Sequence, residues 1–404
     1  MDFYSNEKEY EILLKAQDIA EQVFKPLREQ YDREQLYCPQ AVKALAEAGF
    51  FGVWLPKEYG GAGLGLNALS LILEELSKTC AGLAMPLATT ALGLMPVLFC
   101  AQTPAHKNWL KEAARGEKLW AFALSEATAG SDAGALKSTA IKENGSYILN
   151  GAKHFVSSGE IADYYLIAAS TNPARGARGV SLFVVPKDAQ GMLVTKKENK
   201  LGLRSNPTCN LALRNVKIPA ENLIGEEGQG LLIVKQLFDY SRPAVASQAT
   251  GIALGALEET VKYLKIRRQF GQNIINFQSV GFTLAELYAK ISAARALAYK
   301  ITSDTDKYFI PAANYAVANK TALLQELKIM KAPRQSAQSA SAKFFGAKIA
   351  DETANACLTL CGGIGYMRDF PLEKYLRDAK ALQIYEGTAQ MQLSEILADL
   401  IKNF

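Results

Sequence analysis

Trp120-Ala121-Phe122-Ala123-Leu124 decides how this chain of 404 residues is read, because here the apolar spacing changes from a helical period to a strand-like one. Asn144-Gly145 and Asn150-Gly151 follow as hairpin signals beside Tyr147-Ile148-Leu149. Tyr164 to Ala169, Val180 to Val185 and Leu211 to Val216 continue the series, with Asn172-Pro173-Ala174-Arg175-Gly176 as a surface loop. Residues 120–229 therefore predict a small antiparallel barrel or sandwich.

Outward from this block the period is helical on both sides. In residues 1–119, Tyr10, Leu13, Leu14, Ala20 and Val23 make one apolar stripe. Ala41 to Ala48, Leu69 to Leu76 and Leu83 to Cys100 predict three further helices. Gly60-Gly61-Ala62-Gly63-Leu64-Gly65 lacks the G-x-G-x-x-G spacing and the preceding strand of a phosphate loop, so it reads as a turn between helices. In residues 230–404, Leu254, Leu257, Val261 and Leu264 mark one long helix, and Leu284, Leu287, Ile291 and Ala294 another. Helices of this length with few breakers predict a four-helix bundle. Ala312 to Ala340 is rich in alanine, lysine and glutamine and is divided by Pro333; its purpose is open. The predicted architecture is α+β: a helical N-terminal domain, a β domain and a helical bundle.

Composition narrows the function. A net charge of +5 without a dense Lys/Arg block gives no support to a nucleic-acid or membrane-surface role. No apolar run reaches the ~20 residues that span a bilayer. The acidic opening, Met1 to Glu11, lacks the basic and apolar regions of a signal peptide, so a cytoplasmic location is expected. Six scattered cysteines, none in a C-x-x-C pair, read as buried small hydrophobes, and two histidines make a histidine-rich metal site improbable. No metal is expected. The chemistry must rest on carboxylates, backbone dipoles or a cofactor.

One carboxylate stands out. In Ala381-Leu382-Gln383-Ile384-Tyr385-Glu386-Gly387-Thr388-Ala389-Gln390, Gly387 interrupts a helical pattern and Thr388 can cap the helix that follows. Glu386 thus projects from a junction between helices. Poor solvation there would raise its pKa toward that of a general base, and a charge resting against a helix dipole is the equally weighted alternative.

Four motifs in order resemble the acyl-CoA dehydrogenase family. Phe122-Ala123-Leu124-Ser125-Glu126-Ala127-Thr128-Ala129-Gly130-Ser131-Asp132 is similar to F-x-x-T-E-P-x-A-G-S-D, and Arg267-Arg268-Gln269-Phe270-Gly271 with Phe277-Gln278 is similar to R-x-Q-F-G…F-Q. Cys361-Gly362-Gly363-Ile364-Gly365-Tyr366 with Arg377-Asp378-Ala379 is the third, and Ile384-Tyr385-Glu386-Gly387-Thr388, matching I-Y-E-G-T, is the fourth. They span nearly the whole chain.

The resemblance implies an FAD enzyme that oxidises the Cα–Cβ bond of an acyl thioester, with Glu386 as the base. Some relatives place the base at the position of Ser241, which is no acid here, so Glu386 keeps the role. The base's backbone N–H would also polarise the thioester carbonyl. The implied flavin contacts are Phe122, Leu124, Ser125, Phe155 and Ser157, with Phe155 standing where tryptophan is common. Arg267, Phe270, Gln278, Gly362 and Gly363 would hold FAD across a subunit interface, and Thr388 and Gln390 after the base; Thr359 replaces a glutamine frequent in relatives. By residue type alone Phe122, Leu124 and Phe155 are β-block core, Arg267 is a solvated helix charge, and the glycines a chain reversal. Ser131, Asp239, Arg242 and Gly387 would meet the CoA or pantetheine thioester. The helix around Leu87 to Thr90 carries no arginine for a substrate carboxylate, so a neutral short, branched or cyclic acyl group is expected. An electron-transfer flavoprotein as acceptor and a homotetramer are implied by the family. An acyl-carrier-protein substrate, an enoyl-thioester reductase and a non-catalytic scaffold remain as alternatives.

Overall fold

The computed structural model describes residues 3–101 and 103–403. The first helices, α1 (Glu7–Ile19), α2 (Lys25–Glu34) and α3 (Pro39–Glu47), surround the next helix, α4 (Gly65–Phe99). The glycine-rich stretch before α4 is the expected turn. The two helices read from the sequence at Leu69 and Leu83 lie end to end in α4, and the break between them is Cys80, whose φ of −161° and ψ of 100° are not helical. The long apolar run is explained by burial: α4 is long and apolar enough to cross a membrane, but 89% of its most apolar window is buried inside the protein. Its first turn is capped from far along the chain, where Asp306 accepts from the N–H groups of Leu66 and Asn67 at 2.8 Å each. A short helix, α5 (Pro104–Ala114), leads to the β domain.

The middle domain is a single hydrogen-bonded sheet of eight strands. They are β1 (Trp120–Ala123), β2 (Thr139–Glu143), β3 (Ser146–Ser157), β4 (Tyr164–Ser170), β5 (Val180–Pro186), β6 (Met192–Lys197), β7 (Thr208–Pro219) and β8 (Leu223–Ile224). The order is β6-β7-β3-β2-β4-β5-β8, with β1 alongside β4. Most pairings are antiparallel, but β1 pairs with β4 in parallel, and β2 touches β4 the same way at Thr139 and Ser170. Asn144-Gly145 is the predicted hairpin turn, both residues having positive φ, 46° and 74°. Asn150-Gly151 is not a turn. It lies within β3 at a register shift against β7, and the backbone continues through it. Glycine is required because a Cβ at position 151 would sit 2.2 Å from Ser138 Oγ.

The C-terminal domain packs α6 (Gly230–Ile266), α7 (Gln278–Asn319), α9 (Ser336–Cys361) and α10 (Leu372–Leu382) into the expected bundle, with a short α8 (Leu323–Ile329) and a closing α11 (Ala389–Asn403). A small hairpin of β9 (Arg268–Gln269) and β10 (Gln272–Asn273) joins α6 to α7. The alanine-rich stretch 312–340 forms the end of α7, α8 and the start of α9, and Pro333 lies between the last two. Leu323 and Leu327 of α8 are buried in the same core as α4, so this stretch contributes to packing. The two helical domains are locked together by Glu74 of α4, which accepts from Arg295 Nε and Nη2 at 2.9 Å, Tyr299 Oη at 2.8 Å and Thr250 Oγ1 at 2.6 Å. All six cysteines are free and buried, as their dispersed positions suggested.

Candidate active site

A cavity of about 740 Å³ opens where the β domain meets α4, α6 and the junction between α10 and α11. That junction forms because α10 ends at Leu382 and α11 starts only at Ala389, after Thr388, whose Oγ1 accepts from Met391 N at 3.4 Å. Between them Glu386 and Gly387 both have positive φ, 53° and 93°. Glutamate seldom adopts this conformation, so the surrounding structure must impose it.

Glu386 lines the cavity, and among the described residues its carboxylate accepts one hydrogen bond, from Ser241 Oγ at 2.5 Å. Burial pushes its pKa above the usual carboxylate range; the Ser241 hydroxyl and the charges of Arg242 and Lys343 only partly oppose this. Ser241 and Arg242 lie on buried turns of α6, and Arg242 Nε reaches the Glu386 carbonyl at 3.4 Å. The Arg242 guanidinium also stands 5.0 Å over the Phe238 ring. The sequence motif leaves Ser241 as a vacant position; the structure makes it the hydrogen-bond partner of Glu386.

Apolar side chains of α4, including Leu69, Leu73, Met85, Leu92 and Met95, make one wall of the cavity. Tyr385 Oη donates to Gln248 Oε1 at 2.5 Å, and both residues also line it. The opposite wall is the β domain: Phe122, Leu124, Ser125, Phe155 and Ser157 all face the cavity, as do Ser131, Gly387 and Thr388. Phe155 is 65% exposed at a φ of 57°. A planar aromatic ring, an apolar slot and two hydroxyls along its edge suit the face and polar edge of an isoalloxazine. Behind this wall, the buried Lys153 Nζ joins Glu126 Oε1 at 2.7 Å and the Leu124 carbonyl at 3.2 Å.

Other sequence-predicted residues are not gathered here. Arg267, Phe270 and Gln278 lie on and beside the β9–β10 hairpin, exposed and outside the cavity; Phe270 is 92% exposed. Gly362, Gly363 and Gln390 are exposed as well and do not line it. Asp239 is buried and turned to Arg334, whose Nε lies 2.6 Å from its Oδ2.

Sequence reasoning missed Gln248, Gln392, Lys343 and the Glu126–Lys153 pair. Lys343 was detectable in principle, because helical spacing from the buried Ser339 and Ala340 to Ala347 and Ala350 runs through it. A lysine on an otherwise buried stripe needs a partner.

The three-part fold thus sets a recessed carboxylate and an aromatic-lined β-domain surface on one cavity. The chain belongs to the acyl-CoA dehydrogenase family, matching its N-terminal domain over residues 6–117, its middle domain over 121–216 and its C-terminal domain over 228–401. Members of this family are FAD-dependent oxidoreductases acting on CH–CH bonds. The chain is 35% identical to the 3-(aryl)acrylate reductase of Clostridium sporogenes, over 98% of this chain and 99% of that one. Its fold matches that of butyryl-CoA dehydrogenase from Megasphaera elsdenii with a TM-score of 0.88 and 34% identity, covering 99% of this chain and all of that one. A chain solved in work on the electron transferring flavoprotein of Acidaminococcus fermentans matches with a TM-score of 0.90 and 36% identity, both chains being fully covered.

Proposed function

We propose that the protein oxidises the Cα–Cβ bond of a thioester carrying a neutral short, branched or cyclic acyl group, with Glu386 removing the α-proton. The observation that carries this reading is a carboxylate of raised pKa, held by one hydroxyl donor, in the wall of a cavity whose far side suits a flavin ring. An α-proton of a thioester is far less acidic than a carboxylic acid, so the carbonyl must be polarised as charge develops on it. The Glu386 backbone N–H is the chain's own group assigned to that oxygen. Exclusion of water by the bound acyl chain raises the Glu386 pKa further and strengthens both interactions.

When bound, FAD supplies the acceptor for the hydride lost from Cβ. Phe122, Leu124 and Phe155 would hold its ring, and Ser125 and Ser157 its polar edge; Thr388 lies on the same cavity. Arg267, Phe270, Gln278, Gly362, Gly363 and Gln390 are exposed and do not line this chain's cavity, which supports the reading that they complete the site of a second copy in a homotetramer. Arg242, Ser131 and Gly387 stand where the thioester arm enters, and the apolar α4 wall takes the acyl group. Likeness to a chain solved together with work on an electron transferring flavoprotein supports such a protein as the electron acceptor.

A second reading is favoured by one observation, the 35% identity to a protein named as an acrylate reductase. In that direction Glu386, with its raised pKa, donates a proton to Cα as hydride reaches Cβ. Anaerobic flavin reduction by a panel of saturated thioesters, on CoA and on carrier protein, tests the first reading. The matching panel of unsaturated acyl compounds against the reduced enzyme tests the second. Bleaching by a saturated acyl thioester is the expected result, and failure of every saturated thioester to bleach the flavin would overturn the proposal.

A further inference from the structure

The Glu386–Gly387 segment is gripped from behind by side chains that the reaction does not consume. Lys343 on α9 is fully buried, and its Nζ donates to the Gly387 carbonyl at 2.6 Å. Gln392 on α11 is also fully buried, and its Nε2 donates to the carbonyls of Glu386 and Gly387 at 3.0 Å each. Together with Arg242 Nε on the Glu386 carbonyl, three side chains from three helices hold two consecutive left-handed residues. They add to the Ser241 bond on the carboxylate and the Tyr385–Gln248 bond beside it in holding Glu386 in a conformation that glutamate seldom adopts.

Charge makes a second link. A buried ammonium whose hydrogen-bond partner is a neutral carbonyl needs a counter-charge, and the anion that acts on Lys343 is Glu386. Burial pushes Lys343 down to about 8, with Glu386 opposing the fall and Arg242 adding to it. The groups facing the Glu386 carboxylate are the Ser241 hydroxyl and Arg242 from α6 and Lys343 from α9; Asp239 and Glu395 act on Arg242, and Tyr385 is the neighbour on its own segment.

We propose that Lys343 is a positioning residue for the base: with Gln392 it fixes the Glu386–Gly387 backbone, and its charge keeps Glu386 ionised once substrate has dried the cavity. This rests on the reading of Glu386 as the base. Lys343 touches neither the cavity nor the reacting atoms, so its effect passes through Glu386.

The test compares Lys343→Met, Lys343→Gln and Lys343→Arg with Glu386→Gln, each checked for bound FAD. The readouts are the pH profile of flavin reduction in a single turnover and deuterium uptake across residues 384–389. Lys343→Met is expected to move the acid limb up by about one pH unit, to slow reduction about tenfold near neutrality and to raise uptake. Lys343→Gln, neutral but still a donor, should move the limb with less change in uptake, and Lys343→Arg should leave the limb near its wild-type place. A Lys343→Met protein with the wild-type limb and uptake overturns the inference. If Glu386→Gln reduces flavin normally, the base reading falls with it; if that variant is inactive while Lys343→Met behaves as wild type, this inference alone falls. Should neither neutral variant fold, Gln392→Met, which removes the other side-chain amide donor to the same two carbonyls, decides: its uptake across 384–389 should rise above wild type, and unchanged uptake overturns the inference.

Discussion

Two carboxylates, Glu126 and Glu386, border the same cavity and sit beside buried lysines, yet they are driven in opposite directions. Burial alone would raise both. Glu126 accepts from Lys153 Nζ at 2.7 Å, Lys137 N at 2.6 Å and Ser138 N at 3.0 Å, and these bonds carry its pKa below the usual value. Among the described residues the Glu386 carboxylate accepts only from Ser241, and its lysine donates to the neighbouring carbonyl; burial wins. The number of donors on the carboxylate, rather than the presence of a cation nearby, separates a fixed structural anion from a base able to take a proton. Protonation of Glu126 would weaken three charge-assisted hydrogen bonds, and protonation of Glu386 only the one from Ser241.

The contrast can be broken at four places. The largest effect is expected from Glu386→Gln, which keeps the shape but removes the proposed base: FAD should stay bound while flavin reduction falls about 1,000-fold or more, ~4 kcal/mol in the barrier. Stopped-flow bleaching measures this, and rapid bleaching would remove Glu386 from the role. The next largest is Lys153→Met, which leaves Glu126 buried and unpaired and should lower stability by about 3–5 kcal/mol, read as a fall in the unfolding midpoint. The double variant Glu126→Gln with Lys153→Met should recover part of that loss, because no uncompensated charge remains; a double variant worse than either single one would contradict the pairing.

Gly387→Ala places a Cβ 2.8 Å from Gln392 Nε2 on a residue at φ 93°, so it should cost about 1–3 kcal/mol and loosen the Glu386 segment. Reduction rates and deuterium uptake in this segment should change together. The smallest effect belongs to Ser241→Ala. Ser241 stabilises the ionised form of Glu386, so its loss raises the folded pKa and moves the acid limb of the rate profile to higher pH, by up to about one unit. A limb moved to lower pH would show that the hydroxyl accepts from a protonated Glu386 instead.

Elements with a strong local signal were legible. The three-part architecture followed from the change of period at Trp120, and the Asn144-Gly145 hairpin from its turn chemistry. Asn150-Gly151 carries the same dipeptide and is a bulge inside β3, because Ser138 of the neighbouring chain segment fills the space beside it. The dipeptide states that positive φ is tolerated; only the neighbours decide whether the chain reverses. Similarly, periodicity gave two helices around Leu69 and Leu83, and their end-to-end stacking at Cys80 depends on the core that encloses both.

By itself, then, the sequence determined the order of helical, β and helical blocks, the position of Glu386 at a helix junction and the family to which the motifs belong. These rest on local spacing and residue type, which need no partner from elsewhere. Tertiary structure alone decided which groups surround the carboxylate: Ser241 from 145 residues away, Lys343 from α9 and Gln392 from α11. A pKa is set by burial and by every donor and charge within a few ångströms, and those distances do not exist until the helices have packed.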